Sequence, residues 1–377
     1  MWKKVIALVL SASLLVPSVV MAEGVNDIKA VSAILMDGSS GKVLFEKNAD
    51  QRLPPASITK IMTMLLIMEA IDSGQISTDD IVTVSKTAAI KTGSHIFLAE
   101  GEQMSVNDLM KGIAVASGND AAIAMAEYLY GTQEKFVEQM NKRAKELGME
   151  NTNFVNCNGL DVDNHYSSAR DVALMTLELL KHPKIFDYTT IWMDTLRNGQ
   201  FGLANTNKLI RFYEGANGMK TGSTSKAGYC LSATAKRGDM QLIAVVMSSP
   251  STKDRFADGS TLLNYGFGSF TREVKATAGE AYGELAVEGG VKSAAPLAYG
   301  DDFSIVVENG NKNSITAEPN LPESIQAPVT KGQKVGEMVY YEQGKQVGKS
   351  DLVASEDVEK ISFLYVLSKL VGQYFQI

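Results

Sequence analysis

Residues 61–67 read Ile-Met-Thr-Met-Leu-Leu-Ile, and a helix carrying that run is apolar on every side. Such a helix has to pass through the middle of a core, so the rest of the chain must wall it in. Pro54 and Pro55 force extended backbone just before Ala56, which sets where the helix begins. The chain has the material for the walls: 377 residues, 45% hydrophobic and 21% charged, suffice for two domains with buried cores and are too apolar for disorder. A net charge of -7 with no cluster of Lys and Arg argues against a nucleic-acid partner. His95, His165 and His182 are scattered without ligand spacing, so no metal or other cofactor is expected. Cys157 and Cys230, far apart in sequence, read as separate buried thiols, although export would leave a bridge open.

Residues 1–22 read as a signal peptide: Lys3 and Lys4 are basic, residues 5–16 are almost wholly apolar, and Val20-Met21-Ala22 offers a cleavage site. The apolar core falls short of the ~20 residues of a spanning helix, so an exported protein starting at Glu23 is expected. Residues 30–36 and 43–46 read as a hairpin around Asp37-Gly38-Ser39-Ser40-Gly41. Helical patterns follow at 106–115, 120–130, 133–147 and 169–181, the last opened by Ser168-x-x-Asp171 as a capping box. Strands at 229–235 and 242–247 flank Lys236-Arg237-Gly238-Asp239, where the Arg-Gly-Asp is a hairpin turn before it is an adhesion tripeptide. Strands at both ends of a helical block predict one sheet with helices packed on it, the first hairpin pairing with the later one, in an α/β or α+β fold. From 271 to 354 short β-like runs alternate with turns and predict a small all-β domain, the boundary lying near Phe270. The expected division is signal 1–22, large domain 23–270, β-rich domain 271–355 and a helical segment 356–377.

A serine becomes a nucleophile only with a base in hydrogen-bond reach. Three Ser-x-x-Lys pairs occur, Ser39/Lys42, Ser57/Lys60 and Ser223/Lys226, so the spacing alone decides nothing. Ser39 falls in the hairpin turn and Ser223 in a loop, whereas Ser57 and Lys60 share one face of a helix. Lys60 also enters the apolar run, where desolvation disfavours the ammonium and makes the amine a usable base. A serine cap followed by a snorkelling lysine is the plain alternative. Ser117-Gly118-Asn119 lies between helices and can aim a hydroxyl and an amide at a reacting centre, while Ser105-Val106-Asn107 reads as an ordinary N-cap. Lys220-Thr221-Gly222 precedes the strand at 229–235, its glycine leaving room for a ligand against the backbone. Lys91-Thr92-Gly93 has the same letters but leads into no hairpin.

Ser57-x-x-Lys60, Ser117-x-Asn119 and Lys220-Thr221-Gly222 in that order, with the flanks Pro54-Pro55-Ala56, Asp120-Ala121-Ala122, His165-Tyr166-Ser167-Ser168 and Gly218-Met219, closely resemble the low-molecular-mass penicillin-binding proteins that are D-alanyl-D-alanine carboxypeptidases. The resemblance covers nearly the whole chain. It implies a serine β-lactamase-like catalytic domain, a smaller all-β C-terminal domain and a terminal amphipathic helix. It further implies that Ser57 attacks the bond between two D-alanines of the peptidoglycan stem peptide, that Lys60 takes its proton and that Ser117 relays it. Asn119 would hold the substrate amide, Lys220 supply positive potential, and the N–H groups of Ser57 and Ser223 the oxyanion site. Thr221 and Arg255 would bind the terminal carboxylate beside Gly222, with an Arg255–Asp254 surface pair as the plain alternative. β-Lactam antibiotics would be covalent inhibitors. Several relatives have His where Ser223 stands, which leaves backbone donation intact.

The rival activities are a β-lactamase, for which no Glu-x-x-Leu-Asn run follows Asn119, an endopeptidase on cross-links, and a non-catalytic peptidoglycan- or penicillin-binding protein. In residues 356–377, Phe363, Leu364, Val366, Leu367, Leu370, Val371, Tyr374, Phe375 and Ile377 gather on one side of a helical wheel, with Ile361 and Tyr365 as exceptions. Such a helix lies along a membrane surface and would tether the enzyme to the outer face of the cytoplasmic membrane; docking on the protein's own surface is the alternative.

Overall fold

The computed structural model describes residues 25–311 and 314–375; the signal-peptide segment lies outside them. Strands β1 (Ser32–Asp37) and β2 (Val43–Lys47) form the first hairpin, and α1 (Lys60–Asp72), α2 (Val106–Ala114), α3 (Asn119–Tyr130), α4 (Gln133–Glu146) and α5 (Ala169–Leu179) the helical block. Then come β3 (Ala216–Thr224), β4 (Gly228–Arg237), β5 (Met240–Ser249) and α6 (Thr252–Ser269). The five strands make one antiparallel sheet in the order β2-β1-β5-β4-β3, so the N-terminal hairpin pairs with β5 as expected. Both faces of that sheet are covered, and the period-2 alternation divides the core. Ile34, Met36, Ile243, Val245 and Met247 face the helical block, while Ala33, Leu35, Leu242, Ala244 and Val246 pack against Leu262 and Leu263 of α6. Helix α1 runs inside the first of these layers, buried at every position from Lys60 to Met68.

Ser105 caps α2 through the Asp108 N–H, and Ser168 caps α5 through the Asp171 N–H. The capping box is only half made. The Asp171 carboxylate turns away to the Asn151 N–H and the Thr152 hydroxyl, tying the loop before α5 instead of closing back on the cap.

Beyond α6 the chain is β-structured: β6 (Phe270–Ala276), β7 (Ala281–Glu288), β8 (Ala294–Tyr299), β9 (Phe303–Glu308), β10 (Ile315–Asn320), β11 (Ser324–Gln326), β12 (Lys334–Glu342) and β13 (Lys345–Ala354). Six of them form a sheet in the order β10-β12-β13-β8-β7-β11, and β6 pairs with β9. This part docks on the β1–β2 turn. Arg272 reaches the fully buried Asp37 at 2.7 Å, Lys42 pairs with Glu342 at 2.7 Å, and Val306 enters the core layer under α6. The terminal helix α7 spans Phe363–Phe375, shorter than the expected 356–377. Val358 is buried with Val287, Val329 and Ala354, and Lys360 bridges to Gly290, so residues 356–360 belong to the β part.

Candidate active site

The site forms where α1 begins. The tight turn Ala56–Thr59 leads into that helix, and Ala56 takes φ +48°, a left-handed conformation costing a non-glycine residue roughly 1–2 kcal/mol. Gly159 lets the bend exist, since a methyl there would stand 1.9 Å from the Ala56 carbonyl oxygen. The bend presents Ser57 with Lys60 one turn on, and Lys60 Nζ lies 3.1 Å from Ser57 Oγ. The other two lysines look elsewhere. Lys42 is committed to Glu342, and Lys226 reaches Asp163 at 3.7 Å.

Lys60 is fully buried, and its amine donates to Asn119 Oδ1 at 2.6 Å and to the Asn158 carbonyl at 2.7 Å. Burial pulls its pKa down from 10.5 to about 7. In the neutral form the amine keeps both donations and turns its lone pair to the Ser57 hydroxyl. Ser117, at φ +63°, holds a hydroxyl shut from solvent that has no hydrogen-bond partner among the described residues. Asn119, the first residue of α3, donates from Nδ2 to the Thr92 carbonyl at 2.7 Å. Lys91-Thr92-Gly93 therefore walls the amide of Asn119, and a methyl on Gly93 would lie 2.5 Å from its Nδ2.

The opposite wall is β3. Lys220, Thr221, Gly222 and Ser223 lie inside this edge strand, Ser223 opposite Tyr229, which corrects the expectation of a loop at Ser223. Gly218 and Gly222 dilute the strand signature, but Gly222 is what lets the strand approach: a methyl on it would stand 2.8 Å from the Ser57 nitrogen. Thr221 donates its hydroxyl to Thr206 Oγ1 at 2.8 Å. Lys220 is buried and donates to the Thr221 carbonyl; burial, together with the neighbouring Lys60 and Arg255, pushes its pKa well below the ordinary lysine value. Arg255, 6% exposed on α6, donates to the Gly222 and Cys230 carbonyls at 3.1 and 3.4 Å. Its alternative partner Asp254 pairs with Lys29 at 2.7 Å.

Asn158 and Thr206 are the site-forming residues that sequence reasoning did not single out; Thr92 was read only within a second Lys-Thr-Gly, and His165 only as a scattered histidine and a flank of the resemblance. Asn158 and Thr92 act through a main-chain carbonyl and Thr206 through a lone hydroxyl, groups that leave no motif, although Asn158-Gly159 is a turn dipeptide. Cys157 and Cys230 are buried and unbridged, and burial pushes their thiols up to about 12 and about 11, which leaves them inert as nucleophiles.

Residues 19–251 match the family described as D-alanyl-D-alanine carboxypeptidase, and residues 271–360 match the C-terminal domain of penicillin-binding protein 5. The chain is 43% identical over 350 residues to the D-alanyl-D-alanine carboxypeptidase DacF of Bacillus subtilis (strain 168), covering 92% of this chain and 90% of that protein. Penicillin-binding protein 5 from Haemophilus influenzae is similar in structure with a TM-score of 0.76 and 37% identity, over 88% of this chain and 98% of that one. Penicillin-binding protein D2 from Listeria monocytogenes, in its ampicillin-bound form, is similar with a TM-score of 0.59 and 33% identity, over 64% of this chain and 98% of that one. With a buried lysine beside a serine at the head of its central helix, and likeness to these relatives running through both parts of the fold, the chain belongs to the D-alanyl-D-alanine carboxypeptidases, the serine-type penicillin-binding proteins of low molecular mass.

Proposed function

We propose that Ser57 is the nucleophile and Lys60 its general base in removing the terminal D-alanine from peptidoglycan stem pentapeptides. The observation that carries this is the fully buried Lys60 amine, 3.1 Å from Ser57 Oγ and with its pKa brought to about 7. Ser57 Oγ attacks the carbonyl between the two D-alanines; the new C–O bond forms as its proton passes to Lys60. The C–N bond then breaks, and the leaving amine takes that proton by way of the unpartnered Ser117 hydroxyl. Water hydrolyses the ester and restores Ser57. The N–H groups of Ser57 and Ser223 stabilise the oxyanion, a reading supported by the close approach of Gly222 to Ser57. Asn119 orients Lys60 and the substrate amide. Lys220, Thr221 and Arg255 receive the terminal carboxylate, whose arrival favours the ammonium form of Lys220 that burial disfavours.

The same attack on a β-lactam ring gives a stable ester, which the ampicillin-bound Listeria relative supports. Removal of residues 1–22 on export leaves residues 23–270 as the catalytic unit and 271–355 as the β-rich domain at the outer face of the cytoplasmic membrane. Among the described residues no helix is long and apolar enough to cross a membrane. The apolar side of α7 supports a surface tether, with Phe363 80% and Leu364 74% exposed.

Intact-protein mass after penicillin exposure tests the assignment. The expected result is a stable adduct that Ser57→Ala abolishes together with D-alanine release, while Ser39→Ala keeps both. An adduct on Ser57→Ala overturns the choice of nucleophile, and rapid return to native mass makes the enzyme a β-lactamase.

A further inference from the structure

We infer that His165 is a positioning residue for the Ser57–Lys60 pair, acting through Thr59; the inference rests on the roles proposed above for that pair. The loop of residues 155–165 crosses the first turns of α1 and is bonded to one face of it at three points. The Cys157 carbonyl accepts from the Thr63 hydroxyl at 2.6 Å, the Asn158 carbonyl accepts from Lys60 at 2.7 Å, and His165 Nε2 lies 2.8 Å from Thr59 Oγ1. Spacings of three and four put Lys60 and Thr59 in line with Thr63.

The third contact has a defined direction. His165 Nδ1 lies 2.9 Å from the Val155 nitrogen and must accept its N–H, so Nε2 carries the hydrogen and donates to Thr59. His165 is 5% exposed and Thr59 fully buried, which leaves water little access to either bond. One imidazole thus closes the loop between positions 155 and 165 and fastens the closed loop to the residue between Ser57 and Lys60. That fastening sets where the Asn158 carbonyl stands, and so where the Lys60 lone pair points. Burial holds the ring's pKa down at about 4 against the pull of Asp161, which keeps it in the neutral form that accepts and donates together.

Two replacements separate the bonds. Asn at 165 offers an acceptor near the Nδ1 position but no donor that reaches Thr59, whereas Gln offers a donor near the Nε2 position. Acylation by labelled penicillin is expected to fall about tenfold or more in His165→Asn, the weight of one buried hydrogen bond, and to stay within about threefold in His165→Gln. Thr59→Val should reproduce the loss and Thr59→Ser restore the rate, with the change in peptide hydrolysis falling on kcat and not on KM. Equal losses in both His165 variants that track their melting temperatures would reduce the residue to a structural one and overturn the inference, as would unchanged rates in His165→Asn and Thr59→Val. Ser57→Ala run alongside must give no adduct; if it gives one, the nucleophile reading fails, and this inference with it.

Discussion

As the base proposed above, Lys60 has to be buried, and it has to be hydrogen-bonded to be tolerated there. An isolated ammonium in a dry core is costly, and proteins answer by neutralising it. The oxygens of Asn119 and Asn158 serve the neutral amine as well as the charged one, so deprotonation breaks neither bond. Below its folded pKa the amine holds a proton and cannot take another from Ser57; above it the base is ready. Penicillin acylation should therefore rise with pH through about 7 along a single ionisation. A rate already on its plateau at pH 5 would mean that another group takes the proton. Ala56 and Ser117, both held at positive φ beside this pair, are where backbone strain is concentrated in the service of the site.

At the level of elements, the edge strand β3 is the part that had to be braced. Among the described residues it has a neighbour on one side only, β4, and its Gly222 lies against the Ser57 nitrogen. Arg255 supports it through the Gly222 carbonyl, so on the function proposed above one guanidinium would hold the strand and also supply charge to the substrate carboxylate. Arg255→Ala should lower the melting temperature by a few degrees, because carbonyls lose a donor. It should also lower kcat/KM for a pentapeptide with a free C-terminus about tenfold or more, and far less for the amidated peptide. Equal losses on the two peptides would confine Arg255 to bracing the strand.

For the whole molecule, the β1–β2 turn is the joint between the two parts. Asp37 is buried there against Arg272, and breaking such a pair from one side costs roughly 3–5 kcal/mol, so the β part is held firmly against the catalytic sheet. Among the described residues the terminal helix has no comparable anchorage; its bond to the body there is Tyr365 Oη to the Val291 carbonyl at 3.4 Å. Truncation after Ser362, which spares the buried Val358, should move the enzyme from the membrane to the soluble fraction with full activity on a soluble pentapeptide. Persistent membrane binding or a lower melting temperature would assign α7 to the fold.

Periodicity and turn chemistry were enough to find the all-apolar α1, the four helices that follow it in the helical block, the strands of both hairpins and the change to β-structure near Phe270, because each is specified by neighbours within a few residues; they did not find α6. The same local pattern picked Ser57/Lys60 out of three equal spacings, since only that pair rides on a helix, and the three motifs together carried the family. It misjudged Ser223, whose strand is diluted by glycine, and ran the last helix back to 356, where Val358 in fact closes the β core. Nor could it bring Asn158 to Lys60 or His165 to Thr59, partners 98 and 106 positions apart. A bond to a main-chain carbonyl asks for no particular side chain, and a contact across a hundred residues has no period. The burial of Lys60 beside Ser57, on which the proposed pair depends, was therefore decided only when the loop folded back over α1.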